Sequence, residues 1–220
     1  MRLTSGWKIS MAFVLLLAGG HAVSAVPILS GQAEFTPGDG TLPAGAQFVT
    51  SVTNSFTGEN ASDVVVFTGT VESLVYSDPS TGYLDFVYQI TNNSSFSDAD
   101  SIERLTVASF AGFTTDADYI PSTGDVPSFD ASRDSTGAVM GFDMNNGGVA
   151  PGQDSDDLII DTDSKTFTMS GNAAVIDGGT GNAQVDVPLA ATQVSAVPEP
   201  ASLSLLAIAA GFFGGRRRKR

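Results

Sequence analysis

Among the side chains of the central part of this 220-residue chain, carboxylates are the group with the numbers and the chemistry to form a site. There is no cysteine, and the single histidine, His21, lies close to the N-terminus. Thiol nucleophiles, disulfides, Ser-His-Asp and Cys-His machinery and most zinc sites are therefore excluded from residues 26–196, because those chemistries need imidazole or thiolate. Carboxylate chemistry remains. Acidic pairs spaced by two residues occur at Asp98 and Asp100, Asp116 and Asp118, Asp154 and Asp156, and Asp161 and Asp163. In an extended chain that spacing points both side chains to one face, which suits a hard cation with oxygen ligands. None of the pairs opens an EF-hand loop, since the fifth position is Ile102, Ile120, Leu158 or Lys165 and the sixth is never glycine. The densest stretch supplies the candidate calcium ligands Asp154, Asp156, Asp157, Asp161 and Asp163, with a solvated acidic loop as the simpler reading.

The run Leu158-Ile159-Ile160-Asp161-Thr162-Asp163-Ser164 resembles the hydrophobic-hydrophobic-Asp-Thr-Gly-Ser loop of aspartic proteases. Asp163 stands where that family has the glycine that permits the tight turn. No second Asp-Thr-Gly or Asp-Ser-Gly supplies the other half of a carboxylate dyad. Asp161 thus reads as a strand-end residue, and no residue is assigned a catalytic role. A carboxylate-based hydrolase stays open as an alternative, because the separation of paired acids is not legible in a sequence. Gly178-Gly179-Thr180-Gly181 precedes no helical pattern and reads as a hairpin turn, not a phosphate cradle. Tyr76, Tyr83, Phe86 and Tyr88 fit core or cross-strand positions better than a sugar-stacking platform. The sequons at Asn60 and Asn92 read as turn residues.

The elements that must position these groups are strands. Leu84, Phe86, Tyr88 and Ile90 alternate with Asp85, Val87, Gln89 and Thr91, with Val87 breaking the pattern. Further strands are expected at Gln47–Thr53, Val64–Phe67, around Val71, Leu74 and Val75, and at Arg104–Ala111 and Ala138–Met144. Others are expected at Asp157–Asp161, Thr166–Met169, Ala173–Ile176 and Gln184–Leu189. Asp78-Pro79-Ser80-Thr81-Gly82 is a turn cluster fit for a hairpin. The stretch Thr114–Gly137, with Pro121, Gly124 and Pro127, reads as a long surface excursion. Together these features predict an all-β domain, an antiparallel sandwich of jelly-roll or Ig-like type, over residues 26–196.

Charge narrows the partners. Residues 26–196 hold three basic side chains, Arg104, Arg133 and Lys165, against all the acids except Glu199, a net charge of about minus twenty. Such a body does not bind nucleic acid, whose phosphates demand clustered lysine and arginine. Divalent cations, Ca2+ among them, are its natural counter-ions, and a calcium- or polysaccharide-binding module is the first alternative to a purely structural role.

The two ends read as addresses. Arg2 and Lys8 precede the apolar run Met11–Ala18, and Val23-Ser24-Ala25 offers small residues to signal peptidase, so residues 1–25 are expected to be a signal peptide cleaved after Ala25. At the other end Pro198-Glu199-Pro200 is followed by an uncharged run from Ala201 to Gly215 and then by Arg216, Arg217, Arg218, Lys219 and Arg220. A helix over 201–215 would be roughly 22 Å long, short for a bilayer core of roughly 30 Å. The basic cluster keeps to the cytoplasmic side and leaves the rest of the chain outside. This order resembles the PEP-CTERM sorting signal of bacterial surface and secreted proteins. The resemblance implies that residues 197–220 are a sorting segment. A membrane-embedded exosortase would recognise Pro198, Glu199 and Pro200, process the chain there and pass it to the cell surface or extracellular matrix. A non-enzymatic, structural or adhesive role is the expectation for the domain, with extracellular polysaccharide as a further candidate partner.

Overall fold

Period-two alternation dominates the central sequence, and the backbone follows it. The computed structural model describes residues 27–36 and 40–190. Their strands are β1 (Ala33–Phe35), β2 (Gln47–Asn60), β3 (Val65–Ser77), β4 (Leu84–Asn92), β5 (Arg104–Ala108), β6 (Thr115–Ile120), β7 (Ser128–Arg133), β8 (Val139–Met144), β9 (Asp157–Thr162), β10 (Phe167–Asp177) and β11 (Gly179–Pro188). They form one antiparallel sheet in the order β1-β7-β8-β5-β10-β11-β2-β3-β4-β9-β6, curled strongly into a half-barrel. The all-β expectation therefore holds, but a single folded-over sheet replaces the two separate sheets of a jelly-roll or Ig-like sandwich.

The curl has a local cause. β11 joins β2 through only two residue pairs, Gly179 with Asn60 and Thr180 with Glu59. Beyond that corner β11 packs against β3 and β4. Its backbone polar groups there find side chains instead of a ladder: Ser73 Oγ accepts from the Asp186 N–H at 3.1 Å, and the buried Tyr88 hydroxyl donates to the Asp186 carbonyl at 2.7 Å. The interior between the two halves is filled by Phe67, Phe86, Phe110, Phe142, Ile90, Leu105 and Leu158, all fully buried.

A second device holds the opposite side. The Ile28 N–H donates to the Thr115 carbonyl of β6 at 2.8 Å, and the Ile28 carbonyl accepts from Arg133 Nη1 of β7 at 3.2 Å. The same guanidinium donates to the carbonyls of Phe110, Phe113 and Gly137 at 2.8–3.1 Å. Arg133 is 8% exposed, so its charge is carried by oriented carbonyl dipoles. β6 closes one end of the strand order and β7 lies second from the other, which makes this the seam of the half-barrel.

Several expectations change in detail. Thr114–Gly137 is not a surface excursion, since it contains β6 and β7 and supplies the seam. Its apolar signal is weak because Ala117 and Ala131 take the inward positions while Phe129 faces out. The two short runs before Asp78 fuse into β3, and Thr166–Met169 fuses with Ala173–Ile176 into β10 across an irregularity between Thr168 and Gly171. The turn at Asp78–Gly82 does join β3 to β4, and Gly178, at φ +57°, forms the tip between β10 and β11. Val87 breaks the alternation because the outer face is covered as well. The chain at Gly40 passes so close to β6 and β9 that a Cβ there would lie 2.8 Å from the Tyr119 carbonyl oxygen and 3.2 Å from Ile159, the register partner of Val87. Among the described residues no helix is long and apolar enough to cross a membrane. The signal peptide at 1–25, Ala25 itself, and the sorting segment at 197–220 with its expected helix lie outside the described residues.

Arg133→Met keeps the aliphatic stem but takes the guanidinium donors away from four carbonyls. It should lower unfolding free energy by about 2–4 kcal/mol at a nearly unchanged urea m-value, with Arg133→Lys losing less. Urea unfolding followed by tryptophan-independent far-UV dichroism reads both.

Candidate functional site

Strand register builds the site. Phe48 on β2 pairs with Tyr76 on β3, Tyr76 with Asp85 on β4, Asp85 with Asp161 on β9, and Asp161 with Asp116 on β6. Direct partners on one face have Cβ atoms about 4.5–5.5 Å apart, so these five side chains form one lateral row, two aromatics followed by three acids. Phe48 is exposed and packs edge-on against Tyr76 at 5.9 Å. Asp85 is 4% exposed. Asp85 Oδ2 and Asp161 Oδ1 are both buried and receive no hydrogen bond from a protein donor among the described residues. A proton on Asp85 resolves this, because the acid then donates to the Asp161 carboxylate. Burial, followed by the charge of Asp161, raises Asp85 to about 7. Burial and then the charge of Asp116 raise Asp161 to about 6, against the lowering effect of its hydrogen bond with Asp85. The two titrate as a unit that keeps one proton between them over the mildly acidic range.

Beside the row lies a cavity of about 450 Å³ lined by Pro27, Tyr83, Thr114, Asp116, Asp161, Thr162 and Asp163. Asp163 Oδ1 accepts from the Thr114 N–H at 3.0 Å, which fixes one wall. Lys165 Nζ stands 5.3 Å from the centre of the Tyr83 ring. The other two basic side chains of the domain are engaged elsewhere, Arg104 with Asp143 and Ser132, and Arg133 with the seam.

Residues 196–219 match the family described as the PEP-CTERM protein-sorting motif. The chain carries a PEP-CTERM sorting signal. That signal implies an exported protein processed by exosortase, and PEP-CTERM proteins are sorted to the cell surface. No family covers the central domain, and comparisons with curated proteins and with solved structures find no match. The sorting residues Pro198, Glu199 and Pro200, and the basic tail Arg216–Arg220, fall outside the described residues.

The five candidate calcium ligands do not converge. Asp154 forms a bridge with Thr91, and its carbonyl accepts from the Val126 N–H. Asp156 is buried with Oδ1 accepting from the Ser122 N–H at 2.7 Å, and burial raises its pKa. Asp157 and Asp161 lie at opposite ends of β9 on one face, about 13 Å apart at the rise of a strand, with Ile159 between them. Among the described residues no group of three or more acidic or histidine side chains is arranged to hold a metal ion. Asp161 is near the end of its strand as expected, but the second carboxylate that the sequence did not offer as a motif is present as Asp85. The signal was there in the register: an acid at an outward position of a strongly alternating strand, opposite an acid in another. Phe86 and Tyr88 belong to the core.

Because the folded pair holds protons that the unfolded chain releases near 3.8, its stabilising contribution is complete below about pH 4 and is lost as pH rises through about 6 and 7. Asp186, fully buried with both carboxyl oxygens unpartnered among the described residues, is raised by burial and acts in the same direction. The thermal midpoint should therefore fall between pH 5 and pH 8. Asp85→Asn, whose amide donates to Asp161 at any pH, should flatten the profile and raise the midpoint at pH 8 by at least about 3 °C, or roughly 1 kcal/mol. A midpoint that is the same at both pH values, or a variant less stable than wild type at pH 8, contradicts the shared proton.

Proposed function

We propose that this protein is a non-enzymatic component of the bacterial surface or extracellular matrix, in which exosortase acts at Pro198-Glu199-Pro200 and residues 26–196 serve as a structural or adhesive domain. The observation that carries the reading is the sorting motif at 196–219 joined to an acidic β domain. The paired carboxylates favour a non-catalytic role. A dyad mechanism needs a water or substrate atom within reach of both carboxyls, and Asp85, 4% exposed, does not line the cavity that Asp161 borders. Seclusion of this kind weighs against the hydrolase alternative.

A calcium- or polysaccharide-binding role is the second reading, favoured by the exposed Phe48 and the partly exposed Tyr76 in line with the acidic row. A domain of net charge about minus twenty repels acidic glycans, so such binding would run through bridging divalent cations. Calcium at millimolar concentration should then raise the thermal midpoint and promote retention on an acidic polysaccharide.

Replacing Pro198, Glu199 and Pro200 by alanine tests the primary reading. Intact mass of the wild-type protein from surface or medium fractions is expected to lack Arg216–Arg220, whereas the variant retains them and stays in the membrane fraction. Processing and surface delivery that survive the substitution overturn it.

A further inference from the structure

Residues 40–58 are the longest uncharged run within 26–196, and the fold places most of it in β2. β2 holds a long ladder with β3 on one side, in unbroken register over residues 50–58. On its other side the ladder with β11 consists of Gly179 with Asn60 and Thr180 with Glu59, both at the far end of the strand. β11 then turns inward. Asn54, on the same face of β2 as the buried Phe56, donates from Nδ2 to the Gln184 carbonyl at 2.8 Å. Two residues later the Asp186 N–H reaches Ser73 Oγ on β3. β11 therefore passes beneath β2, and the outer edge of residues 47–56 has no strand paired beside it among the described residues.

Such an edge carries a row of backbone N–H and C=O groups ready to pair with another strand, and folded proteins ordinarily blunt it with charge, proline or a bulge. Residues 47–57 hold no charged side chain and no proline. The two register shifts of β2 fall near its ends, between Phe48 and Thr50 and between Gly58 and Glu59. Valine, threonine and phenylalanine, which favour strands, supply most of the run, and Phe48 and Val49 are exposed at its start. Charge selects the occupant. Two domains of net charge about minus twenty repel wherever their acids meet, and along this edge the side chains brought together are neutral. Glu72, on β3 opposite Thr53, would face its counterpart only across three strand spacings, about 14 Å, against a Debye length of about 8 Å at physiological salt. An antiparallel strand is also its own complement about a two-fold axis.

We propose that two copies of this chain pair edge to edge through β2, antiparallel about a two-fold axis, so that their sheets become continuous across the dimer. Ser51, Thr53 and Ser55, exposed on the outer face, then lie across from the same run of the other copy, where serine and threonine form hydrogen-bonded cross-strand pairs. The pairing is isologous and stops at two, because each copy uses the same edge. It satisfies the backbone groups that the departure of β11 leaves to water. The surface involved is separate from the carboxylate cavity and independent of how the chain is exported.

The test uses the native protein, from whichever cell fraction carries it, in sedimentation equilibrium at physiological salt. A dimer at micromolar concentration is expected. Ser51→Lys with Thr53→Lys sets like charges against each other across the axis and should raise the dissociation constant at least about tenfold, as should Ser51→Glu with Thr53→Glu. An equimolar mixture of the two variants should recover a one-to-one dimer, which a variant that had lost its fold could not do. Phe129→Lys, at an exposed position on β7, should leave the dimer unchanged. A chain that stays monomeric at high micromolar concentration overturns the proposal, and so does a dimer that the β2 charges leave intact. Failure of the two charge variants to pair with each other overturns it as well, as does a dimer that Phe129→Lys dissociates.

Discussion

The half-barrel depends on one buried guanidinium. A sheet that curls until its ends approach without sharing a ladder leaves backbone carbonyls facing inward with nothing to accept, and each would cost as much as a lost hydrogen bond. Arg133 answers several at once, because its planar fork reaches Ile28, Phe110, Phe113 and Gly137 from a single position on β7. Ile28 passes the connection on to Thr115 on β6. On the other side of the curl Tyr88 and Ser73 do the same for Asp186, where β11 has left β2. Side-chain donors and acceptors thus complete what strand pairing leaves open.

A chain with this many acids and three basic groups in its domain has to place carboxylates without partners of opposite charge. The fold sorts them in two ways. Turn aspartates are satisfied by nearby donors: Asp78 accepts from Ser80 and Thr81, Asp134 from Thr136, Ala138 and Val139, and the hydrogen bonds hold both below the usual carboxylate range, Asp134 at about 2. Aspartates inside the sheet lack such donors and are pushed up by burial, as at Asp85, Asp161 and Asp186. The two groups answer pH in opposite directions, and crowding in the row makes the domain a structure that prefers mild acidity.

Both ends of the described chain meet at one end of the domain. Pro27 borders the cavity, and Leu189, just after β11, exchanges hydrogen bonds with Thr166 beside Lys165 and Ser164. The segment that leads to the PEP-CTERM signal therefore leaves the domain close to the place where the chain is pinned by Ile28.

The sequence alone determined the sorting signal, the β class and the turns, because each is written in contiguous residues: Pro198-Glu199-Pro200 before an apolar run, alternation from Leu84 to Thr91, Asp78–Gly82 between two strands. It also excluded disulfides and thiol chemistry, since the sequence holds no cysteine. It did not disclose β6 and β7, whose inward residues are alanines, nor the role of Arg133, whose partners are backbone atoms and carry no side-chain signature. Asp161 was visible as an acid in a strand, and its pairing with Asp85 was not. Two residues 76 positions apart become neighbours only when β4 and β9 choose a register, and that choice is made by the burial of Phe86, Tyr88, Leu158 and Ile160 on the other face. Tertiary structure decided the site because apolar packing fixed the register and the polar face had to accept whatever partners that register delivered.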